Sequence, residues 1–206
     1  LVHVNQKFPK GALTALITTA GYRDTLEIGR DVRFDLFDLN IDRPEPLVPR
    51  FRRLEVMERI LGDGSVREPL DESSVMAAVE SLRWDGVESV AVCLLHAYRN
   101  PQHERRIAEL LAQELPGVSV SLSSEVCPEI REFERTGTVA ANAYVMPLAE
   151  SYLRRLDTGL KSEGFRGRLS VMNSWGGVMA VETAVALPIW LMESGPAAGV
   201  AAAAAA

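Results

Sequence analysis

The stretch VESVAVCLLHAYRNPQHERRIAELLAQELPGVSVSL, residues 87–122, decides the fold. Val87–Leu95 is an apolar, β-branched run, and Asn100 with Pro101 opens a helix. Within that helix Ile107, Leu110, Leu111 and Leu115 recur at the spacing of one face, and Pro116 with Gly117 stops it before the strand VSVSL at 118–122. A strand, a crossover helix and a second strand form a βαβ unit, whose strands run parallel and whose crossover is almost always right-handed. The expected fold class is therefore α/β.

Working outward toward the N-terminus, Asp71 is placed to cap a helix running to about Arg83, with Val75, Met76, Val79 and Leu82 on one face and Gly86 as its stop. RRLEVMERI and GDGSVREPL alternate charge with apolar side chains about Gly62, Asp63 and Gly64, as in a half-exposed antiparallel pair. TALITTAG, 14–21, reads as a buried strand, followed by the polar segment YRDTLEIGR. From Phe34 to Arg50, Pro44, Pro46 and Pro49 predict an irregular connection.

Toward the C-terminus, SSEVCPEIREFERTGTVAANAYVMPLAESYLRRL opens at Ser123 as a loop and then reads as helix to Lys161, with Pro147 expected to divide it into two. Gly164 and Gly167 turn the chain into the short strand RLSVM. A domain boundary is expected near residue 124, giving units 1–124 and 125–206.

A chain of 206 residues can bury a sizeable core in one domain or two. Its net charge of -6 argues against attraction to nucleic acid or to an anionic membrane surface, and no apolar run reaches the roughly 18 residues that span a bilayer. The two cysteines, Cys93 and Cys127, form neither a CxxC nor a disulfide framework, so a reducing, cytoplasmic setting is expected. The chain begins without methionine and ends in six alanines, to which no function is assigned.

Two glycine-bearing loops carry the first chemical reading. In MESGPAAGV, 192–200, Ser194 is able to cap, Gly195 allows close backbone approach and Pro196 suits a first helical turn, which together describe an anion-binding helix N-terminus. In VMNSWGG, 171–177, Asn173 and Ser174 are able to hydrogen-bond a ligand while Gly176 and Gly177 bring backbone N–H groups close. A tight turn and an ordinary capped helix account for the same residues. The densest polar cluster is Glu129, Arg131, Glu132, Glu134 and Arg135, followed by Thr136 and Thr138. It reads either as an active site in which Arg131 or Arg135 holds a carboxylate or phosphate, or as a solvated helix face laced with ion pairs. Tyr22, Arg23 and Asp24, at the end of the first strand, present the same choice between ligand contact and loop bracing. Metal and covalent chemistry find little support. His3, His96 and His103 are scattered, Cys93 lies inside a strand, Cys127 has no histidine near it in sequence, and neither GxSxG nor a Walker A sequence is present.

Taken together, TTAGYRDTLEIGR, RRLEVMERI, VAVCLLHAYRNPQHERR, SSEVCPEIREFERTGTVAANAYVMP, VMNSWGGV and ESGPAAGV occur in the order and approximate spacing of the hydantoinase A/5-oxoprolinase family, and the chain resembles that family from about Leu13 to Val200. The resemblance implies part of an actin-like, sugar-kinase-like ATPase architecture with mixed sheets and packing helices. It implies ATP and Mg²⁺ as cofactors and an ATP-coupled opening of a cyclic amide such as a hydantoin or 5-oxoproline. Alternatives are carboxylation of a ketone, as by the related acetone and acetophenone carboxylase subunits, a non-catalytic scaffold, or a sugar kinase relative. A hydantoinase B-type subunit or domain is the implied partner. Ser194 and Gly195 are expected near the nucleotide, Asn173, Ser174, Gly176 and Gly177 along the cleft, and Arg131 and Arg135 at a substrate anion. Family members carry a D-x-G-G-T-type phosphate loop near the N-terminus and a second one shortly after the SGPAAGV segment. Neither is in this sequence, so the chain is expected to be the stretch between them and not to turn over ATP efficiently alone. LVHVNQKFPKG and Trp175 depart from the family pattern.

Overall fold

A computed structural model describes residues 11–30 and 44–205. The N-terminal departure at residues 1–10, most of the proline-rich connection and the final alanine lie outside the described residues. The elements in chain order are β1 (Thr14–Thr19), α1 (Thr25–Ile28), β2 (Arg53–Val56), β3 (Arg59–Ile60), β4 (Val66–Glu68), α2 (Glu72–Asp85), β5 (Ser89–Cys93), α3 (Gln102–Glu114), β6 (Ser119–Leu122), α4 (Ser123–Val126), α5 (Glu132–Ser162), β7 (Ser170–Met172), β8 (Val178–Ala180), α6 (Val181–Ala186) and α7 (Ser194–Ala205).

The central sheet has the order β2-β1-β5-β6, and all three of its pairings are parallel. The βαβ unit read from residues 87–122 is its β5–α3–β6 half. Alternation along the strands sorts the side chains into two layers. Ala15, Ile17, Val90 and Val92 face Val75, Val79 and Leu82 of α2 and Ile107, Leu110 and Leu111 of α3. Leu16, Ala91 and Cys93 face Val139, Ala140 and Ala143 of α5. Burial on both faces explains why the central strands read as continuous apolar runs, and each fully buried valine, leucine or isoleucine contributes about 1.5–3 kcal/mol. A third cluster, Leu153, Val181 and Ala184, joins the distal half of α5 to the β7–β8 ribbon and α6.

Asp71 caps α2 by accepting the Ser73 amide at 2.9 Å, and Gly86 ends it in the left-handed region at φ 63°. Nothing lies within 4 Å of where a Cβ on Gly86 would sit, so the cost of Gly86→Ala is conformational alone. The expected loss is about 1 kcal/mol, measured as a lower urea midpoint with an unchanged slope.

Three expectations need correction. Every sheet among the described residues is purely parallel or purely antiparallel, so none is mixed. Arg53–Val56 is not one arm of a hairpin but the outer strand of the parallel sheet, and only the tail of that segment, β3, pairs with β4. The alternation that implied solvent exposure misleads because Arg53 is itself buried, donating from Nε to Val48 O at 2.9 Å and from Nη2 to Glu27 at 3.1 Å. Pro147 lies inside one continuous helix rather than between two. It removes one ladder hydrogen bond, but Val139, Ala143, Met146 and Leu153 are buried on both sides of it, and that packing carries the helix through.

Candidate functional site

The strand order makes β1 a switch point, because the chain leaves it for β2 on one side and returns through α2 to β5 on the other. Crevices for ligands in open parallel sheets form outside the carboxyl ends of strands at such a point. Here the loops that follow β1 and β5 flank that edge, and the N-terminal end of α5 reaches it by bonding Leu94 O. Between the loop after β1 and the start of α5 lies a hollow of about 330 Å³ lined by Tyr22, Asp24, Thr25, Gly29, Glu132 and Phe133 among others. That volume accommodates a small molecule.

Beneath the edge lies a layer of buried charge. Glu104 on α3 accepts from Leu94 N at 3.0 Å, Ser123 Oγ at 2.6 Å and Ser124 N at 2.9 Å. Arg135 on α5 donates from Nε to Ser123 Oγ at 3.2 Å, from Nη1 to Glu129 O at 2.8 Å and from Nη2 to Leu94 O at 2.8 Å. The Ser123 hydroxyl therefore bridges a buried acid and a buried base, donating to one and accepting from the other. Beside this group, Glu58 accepts from the Thr19 hydroxyl and pairs with His103 Nδ1 at 2.8 Å, while Thr19 Oγ1 accepts the Leu95 amide at 3.0 Å. Paired in this way, charges tolerate an interior that would otherwise neutralise them.

Burial pushes the Glu104 carboxyl above the ordinary carboxylate range, and its bonds from Ser123, Leu94 and Ser124 pull the other way. Burial also raises the Cys93 thiol in spite of the Arg135 guanidinium, and it raises Cys127, with Glu129 adding to the shift. Neither cysteine is poised as a thiolate nucleophile. At the rim, Arg50 holds Asp24 below the ordinary carboxylate range through paired bonds of 2.7 and 3.0 Å.

The residues singled out from sequence fall into two groups. Arg131 and Arg135 stand at the start of α5, at the sheet edge. Arg131 is exposed and adopts φ 81°, whereas all three guanidinium nitrogens of Arg135 are engaged inside the chain. A solvated helix face thus fails to describe Arg135, which is fully buried. Asn173, Ser174, Gly176, Gly177, Ser194 and Gly195 form the second group, drawn together by one hydroxyl. Ser174 Oγ donates to Trp190 O at 2.7 Å and accepts the Glu193 amide at 3.2 Å, which ties the β7–β8 loop to the approach to α7. Asn173 Oδ1 closes that loop by accepting the Trp175 and Gly177 amides, each at 3.0 Å, and Gly176 supplies its left-handed turn at φ 81°. Ser194 is the first residue of α7 rather than a residue preceding it.

Sequence reasoning passed over Glu58, His103 and Glu104 as functional positions. Glu104 carried a legible signal, since Glu104, Ile107 and Leu111 share one face at helical spacing and the latter two are core residues.

Among the described residues, no group of three or more His, Cys, Asp or Glu side chains is arranged to hold a metal ion, and no helix is long and apolar enough to cross a membrane.

Comparison with known proteins agrees with the architecture. An uncharacterized protein of Methanocaldococcus jannaschii is 42% identical over 185 residues, covering 90% of this chain and 27% of that protein. The caprolactamase alpha subunit of Pseudomonas jessenii is 35% identical, covering 82% of the chain and 24% of the relative, and the 5-oxoprolinase of Saccharomyces cerevisiae is 33% identical, covering 82% and 15%. The crystal structure of the ATP-dependent caprolactamase from Pseudomonas jessenii matches 95% of the chain with a TM-score of 0.80 at 33% identity, over 29% of its own length. The chain thus spans less than a third of each of these relatives. Residues 5–115 match the family described as the hydantoinase/oxoprolinase N-terminal region and residues 135–206 the one described as hydantoinase/oxoprolinase, and with a parallel α/β core that superposes on a solved relative, the chain belongs to the hydantoinase/oxoprolinase family.

Proposed function

We propose that this chain is part of an ATP-dependent enzyme that opens a small cyclic amide of the hydantoin or 5-oxoproline type. The observation that carries the reading is the match to the ATP-dependent caprolactamase structure over 95% of the chain. In this reading the chain is a portion of an actin-like, sugar-kinase-like ATPase, with residues 1–124 in one unit and the start of a second unit from residue 125. Attack on an amide carbonyl is slow because nitrogen is a poor leaving group. Phosphorylation of the amide oxygen by ATP activates the carbon, and donors aimed at the developing charge complete the catalysis.

The chain's own residues divide the work. Asn173, Ser174, Gly176 and Gly177, held against Glu193 by the Ser174 hydroxyl, line one edge of a nucleotide cleft, with Ser194 and Gly195 presenting helix-start amides toward a phosphate. Gly195 is exposed, and a Cβ there would meet nothing within 4 Å, so the approach to those amides is open. Arg131, exposed at the carboxyl edge of the sheet, holds an anionic substituent of the substrate, and Arg135 supports it from below. A hydantoinase B-type subunit or domain completes the enzyme.

Calorimetric titration with Mg-ATP tests this reading on the full-length protein and on residues 1–206 side by side. Tight binding at full length, together with ADP release stimulated by 5-oxo-L-proline, hydantoin or ε-caprolactam in the presence of the partner, is the expected result. ADP release driven instead by acetone or acetophenone with bicarbonate would replace the hydrolase with a carboxylase. Absence of nucleotide binding in both proteins would leave a scaffold.

A further inference from the structure

His96 and Arg131 are the two non-glycine residues with positive φ among the described residues, at 54° and 81°. Arg135 bonds the backbone at or near both, through its guanidinium on one side and its main-chain amide on the other. Arg135 Nη2 donates to Leu94 O, two residues before His96, and the Arg135 amide donates to Arg131 O at 3.2 Å. The Arg135 guanidinium carbon also lies 5.4 Å from the centre of the Tyr98 ring, and that ring meets the His96 imidazole edge-on at 5.9 Å. Three buried side chains hold the backbone that leads into His96. Glu104 accepts Leu94 N, Arg135 donates to Leu94 O, and Thr19 accepts Leu95 N. Backbone strain enforced by its surroundings concentrates where a side chain has to point in a direction that the relaxed chain would not give it.

The strained residue sits immediately past the carboxyl end of β5, next to the switch-point strand, where ligands enter such sheets. Its imidazole is half-buried. Nδ1 stands 3.4 Å from the Tyr98 hydroxyl and Nε2 has no hydrogen-bond partner among the described residues, while the turn of the β3–β4 ribbon packs alongside, where a Cβ on Gly62 would lie 3.8 Å from Cε1. Asn100 locks that ribbon turn to the His96 turn by donating to Gly64 O at 2.9 Å.

From this we infer that His96 contacts the substrate and carries a proton for it. The inference rests on the cyclic-amide reading. The ring N–H bond breaks and its proton goes to the free imidazole nitrogen, while the amide oxygen takes the γ-phosphoryl group from ATP and ADP is released. Water then adds to the phosphorylated carbon and the imidazolium returns the same proton to the ring nitrogen. Both water protons follow it as the C–N bond breaks, leaving an ammonium group and an acyl phosphate, which a second water hydrolyses to carboxylate and inorganic phosphate. Arg135, with Glu104 and Thr19, positions the turn.

Glycine adopts positive φ without strain, so His96→Gly separates conformation from chemistry. In the full-length protein with its partner, His96→Gly is expected to keep or raise the urea midpoint while amide-stimulated ADP release falls about 10²–10⁴-fold. His96→Asn, which also tolerates the left-handed region, is expected to lose rate in the same way. Wild-type rates in either variant would overturn the inference. A second readout needs no turnover: modification of His96 by diethyl pyrocarbonate, followed by mass spectrometry, is expected to slow when 5-oxo-L-proline or ε-caprolactam is added with Mg-ATP. An unchanged modification rate with all the cyclic amides would overturn it. Amide-stimulated ADP release without His96 protection rejects the role of His96 alone. Protection without ADP release retains substrate contact at His96 and rejects the coupled ring-opening reading.

Discussion

Arg135→Ala lowers the stability of the protein by about 3–5 kcal/mol, because removing one member of a buried charged network strands the others. Arg135 is fully buried, and truncation deprives Leu94 O and Glu129 O of their donor. It also leaves the Ser123 hydroxyl tied to Glu104 alone, with no cation beyond it. The loss reaches three elements at once, since Leu94 directly follows β5, Ser123 opens α4 and Arg135 begins the buried face of α5. Arg135→Lys keeps the charge but not the fork of donors that reaches three separate acceptors, so it is expected to recover less than half of the deficit. Urea denaturation of the wild type and the two variants decides the matter. A fall of under about 1 kcal/mol in the alanine variant would mean that the network is dispensable to the fold.

Glu104→Ala is expected to cost about 3 kcal/mol near neutral pH, since the Leu94 and Ser124 amides and the Ser123 hydroxyl lose their acceptor and Arg135 loses the acid linked to it through Ser123. The deficit also depends on pH. The folded-state pKa of Glu104 is raised above the ordinary glutamate value of 4.5, mainly by burial. The stability linked to its protonation is therefore fully present below that value and is lost as pH rises through the folded pKa. The gap between wild type and Glu104→Ala should accordingly be widest in acid and narrow upward from about pH 4.5. Urea midpoints of both proteins across that range provide the test, and a gap that widens with pH would mean that the bonds to Glu104 outweigh its desolvation.

The parallel core was legible because burial on both faces leaves continuous apolar runs, and Val87–Leu95 and VSVSL are such runs with a strongly striped helix between them. The errors arose where a long-range partner cancels a local preference. Arg53 reads as a surface residue until Glu27, from the far side of the proline-rich connection, is brought to it beside the nearby Val48 carbonyl. Pro147 reads as a breaker until the packing around Leu153 and Ala143 fixes the helix on both sides. The polar layer at the sheet edge was legible only in part. Glu104 and Arg135 each sit on an apolar helical stripe, Glu104 with Ile107 and Leu111, Arg135 with Val139 and Ala143, and a charge on such a stripe marks a buried pair. That they meet through Ser123, or that Thr19 and Glu58 join His103 beside them, depends on strand order, and no local pattern encodes strand order.

The 31 residues of α5 form a rod of about 46 Å. Its first turn is clamped to the sheet edge by Arg135, and its far half is embedded in the cluster that carries the β7–β8 ribbon. Such a rod acts as a lever. A tilt of about 5° at the clamp swings the distal end by roughly 4 Å, the scale on which packed helices shift between discrete arrangements. Pro147, with its missing hydrogen bond, is the weakest joint along the lever, and it sets how much of any tilt arrives as displacement and how much is absorbed as bend.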